Sequence, residues 1–396
     1  MTDQKDRSGQ RRHKRDAGIF WRFLRSEEAG GALLIAASLT AFAWSNSAGA
    51  PAYARLLDWP VGAGQVALPL HSLVNEGLMA LFFLLASLEI RREMTIGSLA
   101  TLRGAAAPAI AALGGMAVPA LIYLALNHTD PATARGWAVP VATDIAFSLA
   151  VLRVLGRHAS SSLRVFLTAL AILDDLGAIV VIALFYTAHL SAPALGGAAL
   201  VWLSMFVLNR AGWRALWPYL AGGAALWVLL LRSGVHPTLA GVALALVVPA
   251  RGERSAAARL EDGLVNLVSF AILPIFGLVN AGLDLRIVHL SVLANPAPLG
   301  VLLGLFVGKQ VGVFGATLLG RRLGVLTLPP QMGAAELYGA ALLCGIGFTI
   351  SLFIGDLAFR GTPLLDGVKL AVFCGSLLSA AAGSAVLLSA SHRERR

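Results

Sequence analysis

The chain has 396 residues, of which 57% are apolar and only 13% charged, about half the ~25% charge of ordinary soluble domains. That balance excludes a large water-soluble globule, and it excludes disorder for most of the length, which requires low hydrophobicity and high charge. Two cysteines, Cys344 and Cys374, both sit in apolar runs, so a disulfide-built or cysteine-ligated metal fold is excluded as well.

Taken in chain order, the apolar segments fall at about 27–46, 70–90, 105–126, 137–155, 161–187, 193–209, 215–231, 235–250, 262–283, 297–320, 335–359 and 364–390. A spanning helix needs roughly 20 apolar residues, so twelve spans are expected in an all-α polytopic membrane protein. Turn chemistry or charge separates them, as in Asn127-His-Thr-Asp-Pro131, Arg251-Gly-Glu-Arg254 and Asn295-Pro-Ala-Pro298. The expected organisation is a basic cytoplasmic tail at 1–26, one helical domain at 27–390 and a short cytoplasmic tail at 391–396.

Most of the 31 lysines and arginines fall on one alternating set of loops and on the N-terminal tail. By the positive-inside rule this places both termini in the cytoplasm and supports an even number of spans. The formal charge of +10 therefore reflects topology, with the tail free to touch anionic lipid headgroups. Dispersal of the charge over loops argues against a nucleic-acid partner.

Ser47-Ala-Gly-Ala50 resembles a small-residue cleavage site, but the run before it is about as long as a full span, which favours a retained helix. The following connection, 46–69, is the longest. Within it Val61-Gly-Ala-Gly-Gln-Val-Ala-Leu68 fits either a small hairpin or an irregular loop.

Ionisable residues deep in apolar runs are costly and point to function. Asp174 and Asp175 lie mid-span in Leu173-Asp-Asp-Leu-Gly-Ala-Ile179. Successive helical residues point about 100° apart, so the two carboxylates cannot serve one partner in one geometry. Burial and mutual repulsion favour proton retention, while carboxylate oxygens suit hard cations. A site that takes either a proton or a cation follows. Asp144, in Val139-Pro-Val-Ala-Thr-Asp-Ile-Ala146, shares its segment with Pro140 and Thr143, a combination that suggests an unwound helix. Lys309 sits beside glycines 300, 304, 308 and 312, which form one small packing face, and a buried lysine needs a carboxylate partner.

Gly345 and Gly347 interrupt the eleventh run and mark a second possible break. Breaks in the fourth and eleventh spans would run in opposite directions. That is what an inverted repeat predicts, with spans 3–5 mirrored by 10–12 and a transport site at the midplane.

Together, Ala142-Thr-Asp-Ile-Ala-Phe147, Leu173-Asp-Asp-Leu-Gly-Ala-Ile179, Gly308-Lys309, Ser233-Gly-Val-His-Pro-Thr-Leu-Ala-Gly241, Leu343-Cys-Gly-Ile-Gly-Phe-Thr349 and Leu81-Phe-Phe-Leu-Leu-Ala-Ser-Leu-Glu-Ile-Arg-Arg-Glu93 resemble the NhaA-type sodium/proton antiporters of bacterial inner membranes. The resemblance runs from about Gly30 to the last span. It implies twelve helices with two discontinuous ones crossing at the midplane. It also implies Asp175 as the principal carboxylate for Na+ or Li+, Asp174 alternating between the ion and a salt bridge to Lys309, and Thr143 and Asp144 at the crossing. Homodimers joined partly by a hairpin in the 46–69 loop are implied too. A pH-sensing cytoplasmic mouth would fall on Glu89, Glu93 and Glu261. Asp262 and Val265 stand where some relatives carry histidine, and Glu76 replaces a more usual aspartate after Asn75, so the pH set-point does not transfer. His236 fits a packing role better than a sensing one.

The expected activity is electrogenic, pH-regulated exchange of cytoplasmic Na+ or Li+ for external protons, with no cofactor, no nucleotide and no enzymatic step. The alternatives are a passive cation channel, an intramembrane aspartate-dependent enzyme and a sodium-coupled carrier of organic solutes. Against the enzyme, the strongest pair is adjacent on one helix and lacks DDxxD spacing; against the solute carrier, no mid-span arginine or further polar cluster is present.

Overall fold

The computed structural model describes residues 30–393 apart from 63–66, 188–189, 251, 253, 254, 287 and 329–331. The basic tail at 1–26 and the last three residues of the C-terminal tail lie outside the described residues.

Among the described residues fourteen helices of eight residues or more form, all but α2 on the hydrophobic runs. They are α1 (Gly30–Ser45), α2 (Ala50–Leu57), α3 (Leu70–Thr95), α4 (Leu102–Asn127), α5 (Ile145–Leu155), α6 (Ser161–Phe185) and α7 (Ala192–Arg210). Then come α8 (Trp217–Leu231), α9 (Leu239–Val247), α10 (Ala256–Asn280), α11 (Pro296–Arg322), α12 (Ala334–Leu343), α13 (Phe348–Phe359) and α14 (Leu364–Arg393).

Among the described residues, eight continuous or nearly continuous helical segments are long and apolar enough to cross a membrane. The remaining runs are shorter as helices. α1 turns through 119° into α2, α8 nearly fills an apolar run that is itself short, and α5 and α9 are shorter than their runs because glycine, proline or broken backbone takes up the rest. The fold is thus a polytopic helical membrane protein, whereas the count of twelve rests on those shorter pieces.

The 46–69 connection contains both a helix and a hairpin. The helix α2 was missed in the sequence; its Tyr53 hydroxyl donates to the Leu278 carbonyl at 2.7 Å and so fastens it to the end of α10. The hairpin pairs β1 (Pro60–Val61) antiparallel with β2 (Leu68–Pro69).

Two segments are interrupted where the sequence suggested. After helical turns at Pro131–Ala134 and Arg135–Ala138, the backbone leaves helical form at 139–144 and resumes as α5. Pro140 contributes no N–H there. The second break, 344–347, separates α12 from α13. A Cβ on Gly345 would meet Ser379 Oγ and the Leu305 carbonyl, and one on Gly347 would meet Ser351 Oγ and Leu305 Cδ2. The break therefore admits only glycine because α11 and α14 press on it.

The α11 glycine face packs on α4 as expected. A Cβ at Gly308 would lie 2.8 Å from Pro119 Cα, and one at Gly300 2.8 Å from the Tyr123 ring. Wide π-type turns flank Lys309, at Gly304–Gly308 and Gln310–Phe314; such turns recur at functional positions.

Candidate functional site at the crossing of two broken helices

The two breaks lie against each other. The Asp144 amide donates to the Ile346 carbonyl at 2.6 Å. Ser148 Oγ donates to the Leu343 carbonyl and Ser351 Oγ to the Val139 carbonyl. Each half-helix start thus supplies a hydroxyl to the carbonyl end of the opposite segment. Backbone groups that would be orphaned in hydrocarbon are satisfied across the crossing.

Asp144 caps both starts. Its Oδ1 accepts from the Phe147 amide at 2.9 Å, within its own helix. Its Oδ2 accepts from the Thr349 amide at 2.9 Å and the Thr349 hydroxyl at 2.7 Å. Two facing helix N-termini concentrate partial positive charge, which one carboxylate offsets.

The carbonyl ends face a cation instead. Lys309 Nζ lies 2.6 Å from Asp174 Oδ2 and 3.1 Å from Thr143 Oγ1. Thr143 Oγ1 itself stands 2.6 Å from Asp174 Oδ2 and 2.9 Å from the Cys344 carbonyl. Lys309 and Asp174 are completely buried, so their charges persist only as a pair with hydrogen-bonding neighbours.

Asp175 points elsewhere, as the 100° helical step requires. It lines a cavity of about 30 Å³ together with Glu89, Thr143, Asp144, Ser269 and Thr349. A larger cavity, about 470 Å³, lies between Ser98, Ser161 and Thr327, but it carries no carboxylate, so the small cavity is the chemically relevant one. Oxygen atoms from three carboxylates, two threonines and a serine around a confined space are what a small hard cation or a proton would meet.

The three glutamates expected at a mouth divide into two groups. Glu89 joins the Asp175 cavity. Glu93 and Glu261 flank Arg92, whose guanidinium donates to Glu261 Oε1 at 2.5 Å and approaches Glu93 Oε1 at 3.5 Å. Glu93 Oε2 also accepts from the Ser98 amide and hydroxyl. His236 bonds Thr238 Oγ1 at 2.7 Å and sets its ring edge-on to Phe353, the packing role expected.

One cluster escaped the sequence. Asn75, Glu76, Asn280, Asp356 and Arg360 meet at the end of α3 remote from Glu89. Glu76 and Asp356 lie near the ends of their apolar runs, and nothing in the spacing joins them to two asparagines.

A helical membrane bundle with two interrupted helices crossing over buried, oppositely charged residues defines the class of secondary transporters. A sequence model of the family described as Na+/H+ antiporter 1 matches residues 21–387. A Pseudomonas savastanoi pv. phaseolicola protein named Na(+)/H(+) antiporter NhaA 1 is 50% identical over 381 residues, covering 94% of this chain and 96% of its own. Relatives named Na(+)/H(+) antiporter NhaA from Bordetella parapertussis and Mesorhizobium japonicum are 49% and 50% identical, covering 92% and 95% of this chain and 95% and 96% of theirs. The chain belongs to the Na+/H+ antiporter 1 family.

Proposed function

We propose that the chain exchanges cytoplasmic Na+ or Li+ for external protons across a bacterial inner membrane, electrogenically and under pH control. It would do so as a twelve-span homodimer with both termini in the cytoplasm and spans 3–5 mirrored by 10–12. The observation that carries the proposal is the division of labour in the adjacent pair. Asp174 is held by Lys309 at 2.6 Å, while Asp175 faces the cavity beside Glu89. The relatives' names support sodium and protons as the cargo.

Competition for the same oxygens gives the coupling. With protons abundant outside, Asp175 is protonated and the Asp174–Lys309 pair takes up a further proton. Facing a less acidic cytoplasm, those protons leave and Na+ binds Asp175, with Asp174 released from Lys309 to join it. Rocking between the two faces proceeds only in an occupied state. More than one proton per sodium moves net charge inward, driven by about 2.3 kcal/mol per charge per 100 mV. The hairpin at β1–β2 supports a dimer contact, and Glu89, Glu93 and Glu261 support a pH-responsive mouth.

The test is reconstitution into liposomes that trap a pH dye, followed by sodium pulses over a range of pH. Sodium-driven proton movement, absent in Asp175→Asn, supports exchange. Sodium permeation without proton movement would replace the carrier with a channel.

A further inference from the structure

The two walls of the Asp175 cavity are joined differently at their two ends. One wall is α3 with α10, which contribute Phe82, Leu85, Glu89, Val268 and Ser269 to the cavity. The other includes the starts of α5 and α13, with Asp144 and Thr349. At the Glu89 end, the strong ion pair, Arg92 to Glu261, connects α3 with α10 and so stays within a single wall.

At the opposite end the walls are tied together. Asn75 Nδ2, on α3, donates to Asp356 Oδ2, on α13, at 3.0 Å. Arg360, just past α13, donates from Nη1 to Glu76 Oε1 at 3.1 Å. Asp356 is 6% exposed, Asn75 1% and Asn280 4%, so the Asn75–Asp356 link is a buried polar contact, while the Arg360–Glu76 link reaches outward. One layer nearer the site, the rings of Phe83 and Phe353 meet tilted at 55° with 5.7 Å between their centres, and Phe276 of α10 belongs to the same buried core.

Each half of the contact also has its own partner. Asn75 and Asn280 exchange reciprocal amide hydrogen bonds at 3.0 and 2.8 Å within their wall. Asp356 accepts from Arg360 Nε at 3.0 Å and from Nη2 at 2.5 Å, one helical turn apart. Separating the walls therefore breaks two links yet leaves Asn75, Asn280 and Asp356 each with a partner, while the Glu76 carboxylate, part-exposed, turns to solvent. A contact that parts without orphaning polar groups avoids the main penalty of opening a buried polar layer.

We propose that Asn75, Glu76, Asp356 and Arg360 form a releasable clamp that holds the face remote from Glu89 shut over the Phe83–Phe353 layer. Parting of this clamp is the step that exposes Asp175 to that face. The proposal rests on the alternating-access reading given above for the same site.

Met79 lies one turn from both Asn75 and Phe83 on α3 and is fully buried, so Met79→Cys reports opening between the clamp and the aromatic layer. The full-length protein in right-side-out and inside-out vesicles is treated with a charged, membrane-impermeant maleimide, with Trp59→Cys as an exposed control. In the otherwise unaltered clamp, Met79→Cys should label slowly from the clamp face. Adding Arg360→Gln should speed labelling ~10-fold and raise the apparent KM for Na+ at the Glu89 face several-fold, because the fraction of molecules open there falls. Arg360→Lys should keep labelling slow. Should Arg360→Gln be lost from the membrane, Glu76→Gln decides instead, since it removes the cross-wall link and spares the Asp356–Arg360 pair. Labelling that is equal with and without the clamp, or as fast as Trp59→Cys in the unaltered clamp, overturns the proposal. Absence of sodium–proton exchange in the same vesicles would sink the transport reading alone, because labelling reports the clamp without it.

Discussion

Lys309 Nζ stands 2.6 Å from Asp174 Oδ2 with neither side chain exposed, and the neighbouring Asp175 faces a different space altogether. The two adjacent carboxylates therefore have separate jobs. One neutralises a buried cation at the carbonyl ends of the broken helices. The other lines a separate small cavity beside Glu89.

Removing the lysine should be costly to the protein itself. Lys309→Ala leaves Asp174 buried beside Thr143 without its counter-charge, and breaking a buried pair from one side costs about 3–5 kcal/mol. Thermal unfolding in detergent should fall by several degrees relative to the parent. A variant as stable as the parent at every pH would show that the pair carries no structural weight.

Asp175→Asn should behave in the opposite way. Asp175 is not a member of the Lys309 pair, so the protein should insert and unfold much like the parent. Sodium-driven proton movement should be abolished, since an amide neither releases a proton nor supplies an anionic oxygen. Exchange at the parent's rate would remove Asp175 from the coupling step.

Asp144→Ala takes away caps from two helices at once, the Phe147 amide of α5 and the Thr349 amide and hydroxyl of α13. Each lost cap costs ~1 kcal/mol in ordinary helices. Asp144→Asn retains an acceptor oxygen but not the charge that offsets two helix N-termini. The expected order of thermal stability is parent, then Asp144→Asn, then Asp144→Ala. Equal stability of the two variants would mean that the charge, and not the hydrogen bonds, is what matters.

Asp284, in the connection between α10 and α11, titrates outside the range that concerns transport. Side-chain and backbone hydrogen bonds from Arg286 hold its carboxyl below its ordinary value. A lowered carboxyl contributes stability that is present above its unfolded value, near 3.9, and is lost only as the pH falls through the lower folded value. Asp284→Asn should therefore leave the shape of the exchange–pH profile unchanged between about pH 6 and 9. A displaced profile would give this loop a part in pH control.

Much of the architecture could be read from residue type and spacing. Long apolar runs can satisfy their backbone in lipid only as helices, and a carboxylate or lysine inside such a run has few reasons to be there except a partner or a cargo. Pro140 and the pair Gly345 and Gly347 marked both interruptions, because a missing N–H or a missing side chain is a local property visible without neighbours. The α2 helix was not legible: Pro51, Gly49 and the polar residues around them look like a turn, and the helix is held by Tyr53 on α10, a contact far away in sequence.

The composition and intramembrane charges of this chain thus determined a helical membrane protein with a proton- or cation-binding centre, since burial makes those charges meaningful wherever they lie. The Asp174–Lys309 pair is implied by the family resemblance alone and has its geometry from the fold; only the tertiary structure decided that Asp144 caps two helices and that Asn75 meets Asp356. Those pairings depend on how helices distant in sequence cross, and a side chain's direction about its helix axis has no consequence until another helix is packed against it.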